Sequence, residues 1–427
     1  MSFEIKSFIA KNGERFSQLY ASDDPWPLFY PTAFVVRSVR QSCTPSTQRV
    51  YLDAIKRLLE WEANNKFDIE VRFQRHDFLR PHEIDSLVRY INAARRGKQG
   101  DTISEGKGNT YVGYVAKYLN WLANEVITDP NRPEVQDLIN TQHRRMIDKL
   151  TKEGSKSAKA QKLIEKHLSE QAREQLESLW NNPFVNVFRP ADRGSRLRTV
   201  VMLRILYETG MRRGELLSLK LKHLVESTGG EDPQLVIERN HGDSFDTRIN
   251  QPVAKTQGRI VPISPSLELQ LTEYIGEYRA DVPGVGFDDE DFIFVTHRSK
   301  RGQGKPISVS NFDQAVAGLR DLFPALDTTH PHLLRHDWNY RFSEAADSAK
   351  LNPEKETELR RLLMGWSIES DMPGHYNHRH LQEEASRIGR KVAGDTERRA
   401  PPSTEILAES QKLVLVETNA TKKKIRP

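Results

Sequence analysis

Six side chains in the C-terminal half have the types that phosphate chemistry requires. They are Arg212 in TGMRRGEL, Lys255 in VAKTQGRIVPIS, His332 and Arg335 in HPHLLRHDW, Trp366 in LLMGWS and Tyr376 in GHYNH. Arginine stays charged, and its planar fork bonds phosphate oxygens in pairs. A phenol downstream of such cations suits a nucleophile that becomes covalently attached to the phosphate. Their order along the chain favours an exchange of phosphodiester bonds.

Charge neutralisation and nucleophilic attack can be assigned to four of these residues. Arg212 and Arg335 are the candidates for neutralising the non-bridging oxygens, and Tyr376 is the candidate nucleophile. A phenol has an ordinary pKa near ~10, so it needs activation by neighbouring cations or by a base. His332 suits the transfer of that proton, and it can donate to the phosphate when it is protonated.

The remaining two candidates act on the leaving group and on the surroundings of the nucleophile. Lys255 suits a general acid at the leaving 5′ oxygen, and Trp366 can donate its indole N–H to a phosphate oxygen. The sequence has no pair of cysteines and no recognisable acidic triad beside a phosphate-transfer motif. We therefore expect no metal, no ATP and no other cofactor in the reaction.

Composition indicates a protein with wide polar surfaces and more than one core. The chain has 427 residues, of which 37% are hydrophobic and 29% charged, with a formal net charge of +5 and a pI of about 9.0. Two domains with tails are the natural expectation at this length. The single cysteine, Cys43, excludes an intrachain disulfide and fits a reducing compartment. No apolar run approaches the ~20 residues of a membrane span, and the N-terminus lacks a signal-peptide core. We expect a cytoplasmic, nucleoid-associated protein.

Local patterns predict a mainly α fold with a small β-sheet. Apolar residues recur at helical spacing after Pro45, after Pro81 and in the stretch that begins at Tyr111. This spacing indicates a bundle of helices. A lysine-rich polar stretch then indicates a linker between domains. The predicted organisation is an N-terminal extension (1–30), a helical domain (31–150), a linker (151–167), a mixed α/β domain (168–392) and a C-terminal tail (393–427).

The second domain is predicted to begin with a helix capped by Ser169, and another helix is predicted to end at Thr209-Gly210. A short helix is expected at 215–221, and strands are expected at 235–237 and 292–295. A hairpin is predicted between residues 251–255 and 259–263, with its turn at Gln257-Gly258. This hairpin would carry Lys255 at its edge.

The motifs in this order resemble the tyrosine recombinase (phage integrase) family. TGMRRGE is similar to the family's T-G-x-R-x-x-E context, and AKTQGRIVPI resembles its hairpin lysine. The H-x-x-R-H box is matched from His332 to His336, the L-G-(H/W) box at Met364 to Trp366, and a tyrosine follows at Tyr376. The resemblance covers residues 168–390. Asp337 departs from the family pattern, which often has a small hydroxyl residue there, and Pro373-Gly374 interrupts the approach to the tyrosine.

The resemblance implies a helical core-binding domain, a tyrosine-recombinase-type catalytic domain and a site-specific recombinase. Such an enzyme cleaves and rejoins DNA strands through a 3′-phosphotyrosyl intermediate. Its partner would be double-stranded DNA, with a homotetramer assembled on that DNA and with accessory proteins of a mobile element. The segment 379–416 is expected to dock onto a neighbouring subunit.

Two other functions fit the same sequence. A non-catalytic DNA-binding accessory protein of a mobile element could use the same scaffold, and a covalent DNA adduct would distinguish the two. A type IB-like topoisomerase would use similar chemistry, and relaxation of plasmid without a special site would identify it.

A basic stretch in the first helical domain has two interpretations. Its residues are Arg37, Arg40, Arg49, Lys56 and Arg57. They fit a phosphate-binding face, and they fit a solvated helix face equally well.

Overall fold

The buried apolar side chains form two large clusters, one in each half of the chain. The computed structural model describes residues 2–95, 100–150, 167–254, 257–298, 302–367, 369–370 and 384–394. One cluster contains buried residues from Phe3 to Met146, and the other contains buried residues from Leu168 to Leu334. We call these parts the N-terminal half and the C-terminal half. We propose that they correspond to the two folding units expected from the sequence.

The N-terminal half begins with an antiparallel hairpin. Strand β1 (Phe3–Ile9) pairs with β2 (Arg15–Ala21) in a register that runs from Phe3 opposite Ala21 to Ile9 opposite Arg15. Phe3, Leu19 and Ala21 are buried, so one face of the hairpin joins the N-terminal cluster. The sequence predicted only an N-terminal extension over residues 1–30, and its patterns did not indicate this hairpin.

Helices make up the rest of the N-terminal half. They are Phe29–Phe34, Pro45–Asn65, Ile69–Gln74, Pro81–Asn92, Glu105–Val126 and Pro133–Ile147, with a π-helical turn at Val35–Val39. The buried apolar faces of the Pro45–Asn65 and Glu105–Val126 helices pack against each other. Tyr51 and Tyr114 stack there with ring centroids 3.6 Å apart. The predicted helical bundle is confirmed.

The C-terminal half packs helices around a small sheet. Its α-helices are Glu170–Asn181, Arg193–Thr209, Arg213–Leu216, Pro265–Glu273, Val309–Leu322, Pro331–Ser348 and Pro353–Met364. Short 3-10 turns lie at Pro190–Asp192, Leu221–His223 and Pro324–Leu326, a π-helical turn lies at Tyr274–Arg279, and residues 384–394 are helical. The sheet has the order β3 (Leu224–Val225), β4 (Gln234–Ile237) and β5 (Arg259–Pro262), all antiparallel.

Several local predictions hold in the C-terminal half. The Ser169 hydroxyl accepts from the Ala172 N–H and caps its helix as expected. The following long helix ends at Gly210, whose φ of +61° is the left-handed conformation that glycine adopts readily. The strand at 235–237 is also present, as part of β4.

Other local predictions were wrong because strand pairing is not a local property. β5 pairs with β4 (Leu235 lies opposite Val261), so residues 251–254 are not its partner. Residues 292–295 form isolated bridges, Lys220 with Phe292 and Val295 with Pro306, in place of a strand. The short helix expected at 215–221 is the single turn Arg213–Leu216.

The chain is therefore mainly α with a small β-sheet, as predicted. Among the described residues, no helix combines the length and the apolar character that a membrane crossing would require.

A half-buried carboxyl in the Pro45–Asn65 helix generates a pH-dependent prediction. The pKa of Glu62 is raised to about 7, mainly by burial and also by the charges of Asp68 and Glu70, while the hydrogen bond from the Ile69 N–H opposes the shift. A folded-state pKa above the unfolded value means that stability is lost as pH rises from about 4.5 to about 7. Glu62→Gln keeps the acceptor oxygen and removes the charge. We expect it to raise the free energy of unfolding by about 1–2 kcal/mol at pH 8.

That gain should vanish below about pH 4.5, where the wild-type carboxyl is protonated in both states. Urea unfolding at pH 4 and pH 8 measures it. A gain of equal size at both values would contradict the assignment.

Candidate active site

A cleft of about 1300 Å³ is lined by residues of both halves and contains three of the catalytic candidates, Arg212, His332 and Arg335. Among its described lining residues are seven arginines and two histidines, and Asp313 is the single carboxylate. The cationic residues are Arg15, Arg49, Arg212, Arg213, Arg248, Arg320, His330, His332 and Arg335. Such a surface attracts anionic ligands.

Arg212 is positioned by the short helix that it begins. Its backbone N–H donates to Glu215 Oε2 at 2.8 Å, and its Nη1 lies 3.7 Å from Glu215 Oε1. The Arg212 side chain is 32% exposed, whereas the Glu215 side chain is fully buried. The buried carboxylate therefore anchors the base of Arg212, and the guanidinium extends to the cleft wall.

Arg335 is joined to the same turn from the opposite side. Its Nη1 donates to the carbonyl of Gly210 at 2.6 Å, two residues before Arg212. A Cβ on Gly210 would approach the Trp338 ring to 2.8 Å, so this close contact requires glycine as much as its positive φ does. One glycine turn thus sets the spacing between the two arginines.

A buried arginine holds Glu215 from behind. Arg259 on β5 donates to Glu215 from Nη2 at 2.8 Å and from Nη1 at 3.3 Å. Its Nε donates to the carbonyl of Leu363 at 2.6 Å. Arg259 therefore links the Arg212 turn to the end of the Pro353–Met364 helix.

The histidines lie at the start of the Pro331–Ser348 helix. His330 is the N-cap residue, and its Nδ1 accepts from the Leu333 N–H at 3.2 Å. His332 is exposed on the cleft wall, with its ring centroid 4.4 Å from that of His336. His332 and Arg335 are one helical turn apart, so both reach the same cleft.

Trp366 lies behind Arg335 rather than in the cleft lining. It is 7% exposed, and the Arg335 guanidinium carbon lies 5.4 Å from its ring centroid. The Gln257 N–H donates to the carbonyl of Gly365 at 3.2 Å, so residue 257 lies close to the turn that carries Trp366. Lys255 and Tyr376 themselves, and the Pro373-Gly374 pair, lie outside the described residues.

Asp337 points away from the cleft. Its carboxylate is fully buried and accepts from the Leu168 N–H at 3.2 Å, from Arg173 Nη2 at 2.9 Å and from Arg341 Nε at 3.0 Å. Two guanidinium groups neutralise this acid on the opposite face of the helix. The departure from the family pattern therefore does not place a negative charge beside Arg335.

The basic stretch of the N-terminal half divides into different environments. Arg49 lines the cleft, and its Nη1 donates to Ser7 Oγ at 2.9 Å. Arg37 pairs with Glu125, Arg40 with Glu14 and Lys56 with Glu60.

Arg57 does not belong to a basic surface, contrary to both interpretations of the basic stretch. It is 6% exposed and donates to the carbonyls of Ile91 and Ala93, which makes it a structural side chain of the bundle. Its spacing from Ala54 and Trp61, both buried, already places it on the inner face of the helix.

Sequence reasoning missed Arg259, although a signal was present. Along β5 the residues alternate between buried and exposed, and Arg259 is in phase with the buried Val261. An arginine on the inner face of a strand requires a buried partner, because burying an unpaired charge is costly. Glu215 is that partner.

The Glu215–Arg259 pair can be tested by a double-mutant cycle. Arg259→Met leaves the Glu215 carboxylate buried without its main partner, so we expect a loss of about 3 kcal/mol in the free energy of unfolding. Glu215→Gln combined with Arg259→Met leaves no buried charge, and we expect a smaller loss than the sum of the single losses. Urea unfolding measures all three variants. Strict additivity would show that the two side chains are not coupled.

Comparison with known proteins gives one family match. Residues 184–352 match the model of the phage integrase family. Two similar solved structures are of the XerH site-specific recombinase. One is bound to the difH substrate in a pre-cleavage complex, with 16% identity, a TM-score of 0.49 and coverage of 84% of this chain and 85% of that chain. The other is bound to palindromic difH in a post-cleavage complex, with 15% identity, a TM-score of 0.47 and coverage of 84% and 89%.

No curated protein matches the sequence. The matched region contains Arg212, His332 and Arg335, which the fold brings to one cleft. Residues 184–352 are therefore similar to the phage integrase family.

Proposed function

We propose that this protein is a site-specific DNA recombinase that cleaves and rejoins strands through Tyr376. The observation that carries the proposal is the convergence of Arg212, His332 and Arg335 on one cationic cleft. These three residues come from two separate helices and are held at a fixed spacing by the Gly210 turn. A structural ion pair would not require three cationic groups on one open surface.

The proposed reaction exchanges one phosphodiester for another. The Tyr376 oxygen attacks phosphorus, the bond from phosphorus to the 5′ oxygen breaks, and a 3′-phosphotyrosyl linkage forms. The tyrosine proton passes to a base, for which His332 is the candidate, and Lys255 gives a proton to the leaving 5′ oxygen. A 5′ hydroxyl of another strand reverses these steps, so the bond energy is conserved without ATP.

Arg212 and Arg335 have the task of stabilising charge on the non-bridging oxygens. Groups that are already oriented need no reorganisation when that charge develops. Gly210 fixes Arg335, and Glu215 with Arg259 fixes the base of Arg212. Trp366 packs behind Arg335 and limits its movement, which suits a supporting role.

The binding mode follows from the two-sided cleft. We propose that DNA lies between the halves, with Arg49 on the N-terminal side and the catalytic arginines on the other side. Phosphate contacts would position the duplex, and side chains in the grooves would select the site. Exchange between two duplexes needs four active sites, so we also propose a tetramer on DNA, with the tail docking between subunits. A cytoplasmic, nucleoid-associated location would follow from this function.

The nucleophile assignment predicts a clear result for Tyr376→Phe. We expect wild-type protein to become covalently attached to nicked duplexes from a pool of randomised sequence, in buffer containing EDTA. Tyr376→Phe should bind the same pool and form no adduct. Denaturing gels detect the adduct, and sequencing of the attached ends identifies the site.

An adduct formed by Tyr376→Phe would indicate another nucleophile. Strict dependence of wild-type cleavage on added Mg²⁺ would argue against the proposed chemistry. Binding by wild-type protein without any adduct would favour the accessory-protein alternative.

The arginine assignments predict that cleavage is lost while most of the DNA affinity is kept. Arg212→Ala and Arg335→Ala should each lower the rate of adduct formation by about 10²–10³-fold, as loss of a preorganised donor does. DNA affinity should fall far less, because many other phosphate contacts remain. Arg298→Ala removes an exposed arginine that pairs with Asp192, and it should cleave like wild type. Equal losses of binding and cleavage in both arginine variants would contradict a transition-state role.

A further inference from the structure

The N-terminal hairpin changes in character along its inner face. Because the side chains of a strand alternate between two faces, the odd-numbered residues of β1 and β2 share one face. At one end this face is apolar, and Phe3, Leu19 and Ala21 are buried in the N-terminal cluster. Further along the hairpin, Ser7 lies opposite Ser17. The face that packs on the bundle therefore carries two hydroxyl groups where it lines the cleft.

The other end of the same face is anchored in the C-terminal half by Arg15. This residue is 3% exposed. Its guanidinium donates to the carbonyls of Asp243 at 2.9 Å, of Asp246, and of Arg248 at 3.4 Å. The hairpin is thus held at one end by apolar packing and at the other end by these hydrogen bonds. The hydroxyl groups between the two ends are held in place before any ligand binds, which lowers the entropic cost of binding.

The two serines join Arg49 in a connected set of hydrogen-bond donors. Arg49 Nη1 donates to Ser7 Oγ at 2.9 Å, and the Ser7 and Ser17 hydroxyl oxygens are 2.8 Å apart. All three side chains line the cleft. Either serine can donate in the shared bond, and in both cases one of the two hydroxyl hydrogens is left over. Arg49 also keeps N–H donors beyond the one that Ser7 accepts. The set therefore offers donors to a ligand in the cleft.

Arg49 differs from the other cations of the basic stretch in its charge partners. Three of those cations each pair with a glutamate, namely Arg37, Arg40 and Lys56. Among the described residues, no carboxylate forms an ion pair with Arg49, whose side chain bonds Ser7 instead. The single carboxylate of the described cleft lining, Asp313, accepts from Arg213 Nη1 with both oxygens, at 2.7 and 2.8 Å. A guanidinium beside hydroxyl donors, with no acid to neutralise it, suits an anionic oxygen as its ligand.

We propose that Ser7, Ser17 and Arg49 form a seat for a backbone phosphate of DNA, so that the N-terminal hairpin is part of the DNA interface. Arg49 supplies the positive charge, and the remaining hydroxyl hydrogen bonds a non-bridging oxygen of the same phosphate. Such a contact positions the duplex without selecting its sequence. This inference rests on the proposed function, because it requires DNA to be the ligand of the cleft.

Removal of the two hydroxyl groups should weaken DNA binding. We expect the double variant Ser7→Ala with Ser17→Ala to bind a fluorescent linear duplex about three- to tenfold more weakly, because a hydrogen bond to a charged phosphate is lost. The slope of log affinity against log NaCl concentration should equal that of wild type, since a neutral hydroxyl displaces no counterion. Fluorescence anisotropy at several NaCl concentrations measures both quantities.

A second hydroxyl pair on the same hairpin provides the matched control. Ser2 Oγ donates to Ser22 Oγ at 2.8 Å, and both residues are exposed and outside the described lining of the cleft. Ser2→Ala with Ser22→Ala should bind DNA like wild type. Equal affinity of wild type and the Ser7 and Ser17 double variant, with a normal circular dichroism spectrum, would overturn the seat. An equal loss of affinity in both double variants would also overturn it, because the effect would then belong to the hairpin as a whole.

The charge of Arg49 should be visible in the salt dependence of binding. We expect Arg49→Ala to lower the magnitude of the slope by about one, as the loss of one phosphate contact does. Arg132→Ala is the control for net charge, because Arg132 is an exposed arginine of the same half that pairs with Asp129. Its slope should equal that of wild type. An unchanged slope in Arg49→Ala would contradict a phosphate at the seat.

Two duplexes of unrelated sequence separate a phosphate contact from a base contact. The losses in the Ser7 and Ser17 double variant and in Arg49→Ala should be the same with both duplexes. A loss with one duplex alone would indicate a base contact and reject the phosphate seat. Failure of wild-type protein to bind either duplex would reject the proposed function together with the seat, whereas normal binding by the seat variants would reject the seat alone.

Discussion

The hydrogen bond from Arg335 to the Gly210 carbonyl determines where the candidate active site lies. It joins the Pro331–Ser348 helix to the turn that ends the Arg193–Thr209 helix, and these are two long helices of the C-terminal half. A guanidinium in this position stabilises the turn and presents positive charge at the cleft wall. Because Gly210 has no side chain, Trp338 packs directly on the turn and its indole N–H donates to the Glu208 carbonyl at 2.9 Å. The Gly210 turn therefore both packs against Trp338 and positions the Arg335 guanidinium.

Three buried carboxylates of the C-terminal half are each paired with arginine. Glu215 is paired with Arg259, Asp337 with Arg173 and Arg341, and Asp246 with Arg248. A buried pair gives little net stability, but loss of one partner is costly. The main effect of these pairs is therefore to fix the positions of loops and helix ends within the C-terminal half.

The sequence could predict features that depend on near neighbours. The helical stripes, the Ser169 cap and the Gly210 end are local, and they were found where expected. The candidate residues Arg212, His332 and Arg335 were predicted from short motifs that are also local, and the fold brings them to one cleft. The cleft itself could not be predicted, because it depends on how two separate halves meet.

Features that depend on residues distant in the sequence were missed, because local patterns do not identify the partner. β5 pairs with β4 across a loop of more than twenty residues, and no pattern in either strand specifies the partner. The hairpin of β1 and β2 has mixed polarity because one face is buried and the other is exposed. The roles of Arg15 and Arg259 depend on carbonyls and carboxylates far away in the sequence.

The surroundings of Asp337 have a mechanical consequence. Its carboxylate holds the Leu168 N–H, at the point where the chain enters the C-terminal half, and it lies on the same helix as His332 and Arg335. The backbone at Leu168 is therefore hydrogen-bonded to the helix that carries Arg335, less than one turn beyond that arginine. Because Asp337 and Arg335 lie on one helix, the position of the backbone at Leu168 is tied to the position of the Arg335 guanidinium.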